Sequence, residues 1–168
     1  EVILVSGRTS LRKPYGVTTF YVKSADDMLE KCINIIKDVD ILVKCAAVAD
    51  YKPEYRSNQK IKKENGNQLN IKLVKNPDIL SQLSKYKKKG AIFIGFAAET
   101  EDIEKNALKK LREKNLDMVV VNDVTEKGSG FEVDTNQVVI ITKKEKKSLP
   151  LMTKEEVAYK IFENLFLV

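Results

Sequence analysis

No histidine and no tryptophan occur among the 168 residues. Without histidine there can be no Ser-His or Cys-His nucleophile pair, and the common zinc ligand sets are gone as well. Any chemistry must therefore rest on lysines, carboxylates, backbone amides and a bound cation. Cysteine is nearly absent too. The two thiols, Cys32 in a helix-like setting and Cys45 in a strand-like one, argue for reduced thiols in a cytoplasmic protein over a disulfide framework. Glycine is sparse, with seven residues. Neither a Walker-type loop nor a dinucleotide fingerprint can be built from them, which removes the usual dehydrogenase reading. No apolar run approaches the roughly 20 residues a membrane-spanning helix needs, and the opening EVILVS reads as a strand, not a signal peptide.

What is present is an ordinary balance for one domain with a sizeable core: 43% hydrophobic, 32% charged. The net charge of +6 favours anionic partners. The lysines are spread along the chain, however, and no aromatic set accompanies their clusters. A solvated basic surface is the better reading than a nucleic-acid footprint, whose binding would be steeply salt-dependent.

The pattern predicts alternating strands and helices. Strands are expected at Val2–Val5, Thr18–Lys23, Val39–Lys44, Ala91–Phe96 and Met118–Val121, with the Val39–Lys44 strand buried. An exposed or edge strand is expected at Asn70–Lys75 after an Asn65-Gly66 turn. Helices are expected over Ala25–Lys37 with Ser24 as cap, from Asn76-Pro77-Asp78 to about Tyr86, over Thr100–Lys114, and from the Thr153 cap to about Phe166. Thr125–Asn136 reads as a loop. A hairpin of Gln137–Thr142 with Leu149–Met152 is expected around the turn Lys143–Lys147. The fold class is α/β: a Rossmann-like, mostly parallel sheet flanked by helices, with an antiparallel C-terminal hairpin.

Three core strands end alike, in small or polar residues followed by an acid: Cys45-Ala46-Ala47 with Asp50, Phe96-Ala97-Ala98 with Glu99, and Asn122-Asp123. Parallel strands would bring these ends to one edge, where α/β sheets bind ligands. Glu99 and Asp123 are of a kind more often found as caps or turn formers than as ligands. Asp50 is less easily explained as a cap, because Pro53 follows. The Asn76–Ile79 helix start is either a plain cap or a phosphate cradle. Lys110 and Lys114, at i and i+4, are either solvated lysines or a clamp on a polyphosphate. Lys60, Lys62 and Lys63 form a surface loop or a flap over a phosphate.

Taken together, CAAVADY (Cys45–Tyr51), KIKK (Lys60–Lys63), LVKNPDIL (Leu73–Leu80), GFAAET (Gly95–Thr100), KNLD (Lys114–Asp117) and VNDV (Val121–Val124) resemble the bacterial phosphopantothenate–cysteine ligase family, the phosphopantothenoylcysteine synthetases. The blocks occur in order over nearly the whole chain, from Val5–Gly7 to Leu149–Leu151. The resemblance implies a single synthetase domain over residues 1–168 that takes part in coenzyme A biosynthesis. CTP would activate 4′-phosphopantothenate as an acyl-cytidylate with loss of pyrophosphate, and L-cysteine would then displace CMP. It implies that Cys45, Ala46 and Ala47 line the CTP site, that Asp50 holds the nucleotide with Mg²⁺, and that Lys60 neutralises charge during acyl transfer. Asn76, Pro77, Asp78 and Ile79 would cradle phosphates, and Phe96, Lys110 and Lys114 would complete the pocket. Family members are homodimers, often fused to a flavin-dependent decarboxylase, so FMN would belong to that domain and not to this chain. Neither a nucleic acid nor a membrane is implied as partner.

The family begins with a further strand, a Gly-Gly-Thr turn and an Asn-x-Ser-Ser-Gly segment ahead of the position of Glu1, and Gly7 is followed by arginine where proline is usual. The resemblance therefore implies a fragment that keeps the nucleotide half and lacks much of the acyl-substrate half. A non-catalytic nucleotide-binding module is the alternative.

Overall fold

The computed structural model describes residues 1–62, 68–99, 102–123, 129 and 133–167, with backbone only at 99, 123, 166 and 167. The chain divides into two compact units, Glu1–Lys31 with Ala46–Ile79, and Cys32–Cys45 with Leu80–Val168. The expected Asn65-Gly66 turn and Lys63 lie outside the described residues.

In the first unit β1 (Ile3–Ser6) pairs in parallel with β2 (Thr18–Tyr21). Helix α1 (Ala25–Ile35) follows the Ser24 cap that the sequence predicts. The Ser24 hydroxyl accepts the Asp27 N–H at 3.1 Å, and the Asp27 carboxylate returns the favour to the N–H groups of Ser24 and Lys23 at 3.0 and 3.3 Å. Hydrogen bonding to the Ser24 side chain first, and then to the Lys23 backbone, holds the Asp27 carboxyl below its ordinary value. Met28 is buried on this helix, and Lys31 sets its ammonium 3.4 Å from the centre of the Phe20 ring.

The unit also contains a strand the sequence did not suggest. β4 (Tyr51–Pro53) pairs antiparallel with β5 (Leu73–Lys75), Tyr51 opposite Lys75 and Pro53 opposite Leu73. Pro53 is tolerated in this two-stranded ribbon because one side of each strand needs no ladder partner. The edge strand expected at Asn70–Lys75 is thus only its last three residues.

The second unit holds a five-stranded mixed sheet in the order β10-β9-β7-β6-β3, from β3 (Ile41–Lys44), β6 (Ile92–Glu99), β7 (Met118–Asp123), β9 (Val138–Thr142) and β10 (Lys146–Ser148). β3, β6 and β7 run parallel, while β9 and β10 are antiparallel additions. This is the expected α/β class. β3 is not buried as expected: Ile41 and Val43 are 40% and 37% exposed, because among the described residues β3 pairs on one side only, with β6.

On one face Ile94, Met118, Val120, Val138 and Ile140 pack with Leu149, Val157 and Ile161. The latter two belong to α4 (Lys154–Glu163). Strand alternation turns Phe93, Gly95, Ala97, Val119 and Val121 to the opposite face, where α3 (Ile103–Glu113) packs on β7 and β9. Gly95 must stay small: a Cβ there would lie 2.9 Å from Leu116 Cδ1 and 3.1 Å from Leu80 Cδ1. No described helix is long and apolar enough to cross a membrane.

The late hairpin differs from the expectation. The Thr142 hydroxyl accepts the N–H groups of Lys144 and Glu145 at 3.2 and 3.1 Å, and this short side-chain turn sends the chain back early. The returning strand is therefore Lys146–Ser148, inside the stretch read as turn. Met152-Thr153 (β11) pairs instead with Thr135-Asn136 (β8), at the end of the stretch read as loop.

Thr153 caps α4 through a complete capping box, its hydroxyl accepting the Glu156 N–H at 3.2 Å while the Glu156 carboxylate accepts the Thr153 N–H at 2.8 Å. These bonds, the Thr153 hydroxyl first, lower the Glu156 pKa from 4.5. A carboxyl lowered in the folded state stabilises the fold above its unfolded value and loses that contribution as pH falls through the folded one. Thr153→Ala is expected to lower stability by about 1 kcal/mol at pH 7. In urea titrations the gap from the parent should narrow below about pH 4; a constant gap would show that Glu156 takes no part.

Candidate functional site

In the first unit the structure joins two of the sequence blocks. The Asn76 side chain donates from Nδ2 to the Ala49 carbonyl at 2.8 Å, and the Asn76 N–H donates to the Asp50 carbonyl at 2.8 Å. These bonds continue the β4–β5 ladder by one step beyond Tyr51 and Lys75. They leave the Asp50 side chain exposed, next to the half-buried Asn76 and Pro77.

Asn76 is thus not the helix cap that the sequence suggests. α2 starts only at Ile79, runs to Leu83 and ends in a 3-10 turn over Ser84–Tyr86. The Asn76 Nδ2 is taken up by the Ala49 carbonyl, and a five-residue helix adds little dipole to a phosphate cradle. Ile79 is buried at 3% exposure, while Asp78 is exposed and engaged within the protein. Ala47 is exposed and Ala46 half-buried; Lys60 and Lys62 are exposed in irregular chain.

In the second unit Cys45 is an exposed free thiol directly after β3. Phe96, on β6, is half-buried and packs against the α4-side cluster. Helix α3 separates its lysines. Lys105 and Lys109 are exposed, with Lys109 3.9 Å from Glu113, whereas Lys110 and Lys114 are half-buried and engage neighbours within the protein. The purely solvated reading fits the first two and not the last two. The acids Glu99 and Asp123 face each other in the β6–β7 register, and their side chains lie outside the described residues.

The KNLD block proves to be a joint. Asn115 adopts a left-handed conformation (φ 49°), the Leu116 N–H reaches back to the Leu111 carbonyl at 2.9 Å and the Asn115 N–H to Arg112 at 3.4 Å. This closure stops α3 and turns the chain into β7. Asp117 then accepts the Phe93 N–H at 2.7 Å and the Lys87 ammonium at 2.6 Å, while Lys87 also donates to the Asn115 carbonyl at 3.0 Å.

A polar group of which the sequence reading singled out only Asn122, as a strand end, sits at the other end of β7. Asn136, 6% exposed, donates from Nδ2 to Asn122 Oδ1 at 2.9 Å and accepts the Ser129 hydroxyl at 2.7 Å; Ser129 in turn accepts the Gln137 N–H at 3.2 Å. The signal available in the sequence was Asn122 itself, standing where the alternation of Met118 and Val120 calls for another apolar residue. Cys32 is no candidate, since burial pushes its thiol up, away from the reactive thiolate.

For a cation the described residues offer single carboxylates. Among the described residues no group of three His, Cys, Asp or Glu converges. An exposed Asp50 fits Mg²⁺, which commonly takes one or two carboxylates and completes its shell with water and substrate phosphates.

Residues 1–167 match the model of the DNA/pantothenate metabolism flavoprotein C-terminal domain. A coenzyme A biosynthesis bifunctional protein CoaBC of Bacillus subtilis (strain 168) is 45% identical over 98% of this chain and 41% of its own length. That of Vibrio parahaemolyticus is 41% identical over 98% of this chain and 42% of its own length. The chain therefore spans less than half the length of these curated relatives. Among solved structures, the C-terminal domain of a coenzyme A biosynthesis bifunctional protein CoaBC superposes with a TM-score of 0.81 at 45% identity, over 99% of this chain and 75% of that one. With the whole described fold inside that match, the chain belongs to the DNA/pantothenate metabolism flavoprotein C-terminal domain family.

Proposed function

We propose that this chain serves coenzyme A biosynthesis as the synthetase part of a phosphopantothenate–cysteine ligase. The reaction is the CTP-dependent joining of 4′-phosphopantothenate and L-cysteine. The carboxylate of phosphopantothenate attacks the α-phosphorus of CTP, pyrophosphate leaves, and the acyl-cytidylate forms. The cysteine amine then attacks the acyl carbon, loses a proton and expels CMP, leaving the amide of phosphopantothenoylcysteine. The observation that carries the reading is the pairing of Asn76 with Ala49 and Asp50, which sets an exposed carboxylate beside the Asn-Pro-Asp turn within a chain 45% identical to a CoaBC protein.

Both steps build or move negative charge on phosphate oxygens, and the residues suited to that are cations and amide donors held in advance. In the first unit Asp50 would hold Mg²⁺ together with the triphosphate, with Ala46 and Ala47 offering backbone access and Asn76, Pro77, Asp78 and Ile79 forming the turn that faces phosphate. Mg²⁺, when bound, would supply charge neutralisation. Lys60 would neutralise charge during acyl transfer. In the second unit Cys45 and Phe96 would serve the nucleoside, and Lys110 and Lys114 would offer two cations one turn apart on α3. A homodimer, a fused decarboxylase carrying FMN, and a cytoplasmic setting belong to the same proposal.

Calorimetric titration with CTP and with ATP, in the presence of Mg²⁺, tests it. CTP is expected to bind, and the double variant Asp50→Ala, Lys114→Ala to bind at least 100-fold more weakly, one charge interaction lost at each position. Undiminished binding by the double variant would sink the residue assignment. Binding of CTP without acyl-cytidylate formation, in protein of full natural length supplied with phosphopantothenate, would favour a non-catalytic module.

A further inference from the structure

We propose that Asn122 reads the base of the bound nucleotide, as a carboxamide donor held in position by Asn136; this rests on the nucleotide reading above. The face of the sheet under α4 is apolar along both central strands. Met118 and Val120 on β7, and Val138 and Ile140 on β9, are all at 2% exposure or less. At one end both rows change character together. The next position on β7 is Asn122, and the position two residues before Val138 is Asn136. A valine or leucine pair would fill this space without any polar group to satisfy, and buried polar pairs are justified only when fully bonded.

The direction of the bonds follows from the donors available. The Gln137 N–H occupies the Ser129 oxygen, whose own hydrogen goes to Asn136 Oδ1. That leaves Asn136 Nδ2 as the donor to Asn122 Oδ1. The oxygen of Asn122 is therefore spent inside the protein, and the part of its carboxamide not engaged by Asn136 is the NH₂ group.

The surroundings suit a ligand. Asn122 lies at the carboxyl end of the parallel pair β6–β7, the edge at which α/β sheets receive ligands. Its register neighbour on β6 is Ala98, exposed and bearing only a methyl group. Two residues earlier on the same face stands the half-buried Phe96, an aromatic surface of the size of a base. A group that can only donate selects an acceptor. Cytosine offers N3 and O2 as acceptors along one edge, whereas uracil carries a hydrogen on N3. Set against N3, the one edge position that accepts in cytosine and donates in uracil, the Asn122 donor favours cytosine, with Asn136 as the positioning residue behind it.

The test is calorimetric binding of CTP and of UTP to the protein of full natural length. The parent is compared with Asn122→Asp, which keeps an oxygen for Asn136 and replaces the outer donor by an acceptor, and with Asn122→Ala, which removes the donor without adding charge. Thermal unfolding of each variant reports the fold separately. The parent is expected to prefer CTP to UTP. Either variant should reduce that ratio at least tenfold, and Asn136→Leu should reduce it in the same direction. Equal losses for CTP and UTP, or an unchanged ratio in variants that remain folded, would overturn the assignment and leave the asparagines a purely structural pair. A parent that binds neither nucleotide would instead overturn the nucleotide reading itself.

Discussion

Replacing Phe93 by alanine is expected to destabilise the protein by about 4 kcal/mol, the largest loss of any single side chain considered. Phe93 is 1% exposed on β6 and is the largest fully buried side chain among the described residues. Its ring is overlaid by the Lys87 ammonium at 5.2 Å, and its backbone is held on both sides by Asp117, whose carboxylate takes the Phe93 N–H while the Asp117 N–H donates to the Phe93 carbonyl at 2.9 Å. That backbone anchoring prevents the strand from moving in to fill the vacated volume, so the cavity term should be near its full value. Phe93→Leu keeps most of the volume and should cost about 1 kcal/mol. Urea denaturation with unchanged slope checks both. A loss under about 2 kcal/mol for the alanine variant would mean that neighbouring side chains relax into the space after all.

Asp117→Ala is expected to cost about 3 kcal/mol, by a different route. One oxygen serves two donors at once, the Phe93 N–H and the Lys87 ammonium, at 2.7 and 2.6 Å. The side chains of Lys87 and Asp117 are only 11% and 22% exposed, so water reaches them poorly. Removing the carboxylate strands a buried amide and a largely buried cation together. Asp117→Asn retains an acceptor for Phe93 and should recover more than half the loss. Adding Lys87→Met to Asp117→Ala should also recover stability, with a coupling of about 1–2 kcal/mol in the double-mutant cycle. Strict additivity of the two substitutions would show that the ion pair contributes nothing. The terminal aspartate of the KNLD block is thereby given a structural role, as a joint between two parallel strands.

These two residues also show what could be read from the sequence. The apolar stretches Ile92–Ile94 and Met118–Val121 announced the central strands, because a strand covered on both faces has to be apolar throughout. The Ser24 and Thr153 caps were legible because a hydroxyl before a helix with an acid three residues on has few other uses. The pairing of strands was less legible. Pro53 hid β4, since a proline forbids a central strand but not a ribbon. The Thr142 side-chain turn moved the returning strand from Leu149–Met152 to Lys146–Ser148, and a single hydroxyl leaves almost no trace in hydrophobic periodicity. Of the candidate site, the association of Asp50 with Asn76 lay in residues 26 apart in sequence, and only the antiparallel ribbon between them brings them together. Asn122 was visible as a break in a pattern, but its partner Asn136 lay in a stretch read as loop.

The strand order of the five-stranded sheet has a consequence for synthesis. β7 is flanked by β6, made before it, and by β9, made after it. As the chain leaves the ribosome, β3, β6 and β7 can assemble as soon as α3 is complete, yet the far side of Met118–Val121 then presents four apolar residues and a row of unpaired peptide groups. It stays bare until Val138–Thr142 has emerged, and its α4 face stays uncovered until Val157 and Ile161 follow. A ribosome that stalls in this interval, or a message cut within it, releases a sheet whose most adhesive edge is open. Val138–Thr142, with Val157 and Ile161 after it, thus acts as the cover of a strand already built, and until it arrives the chain is open to its own kind.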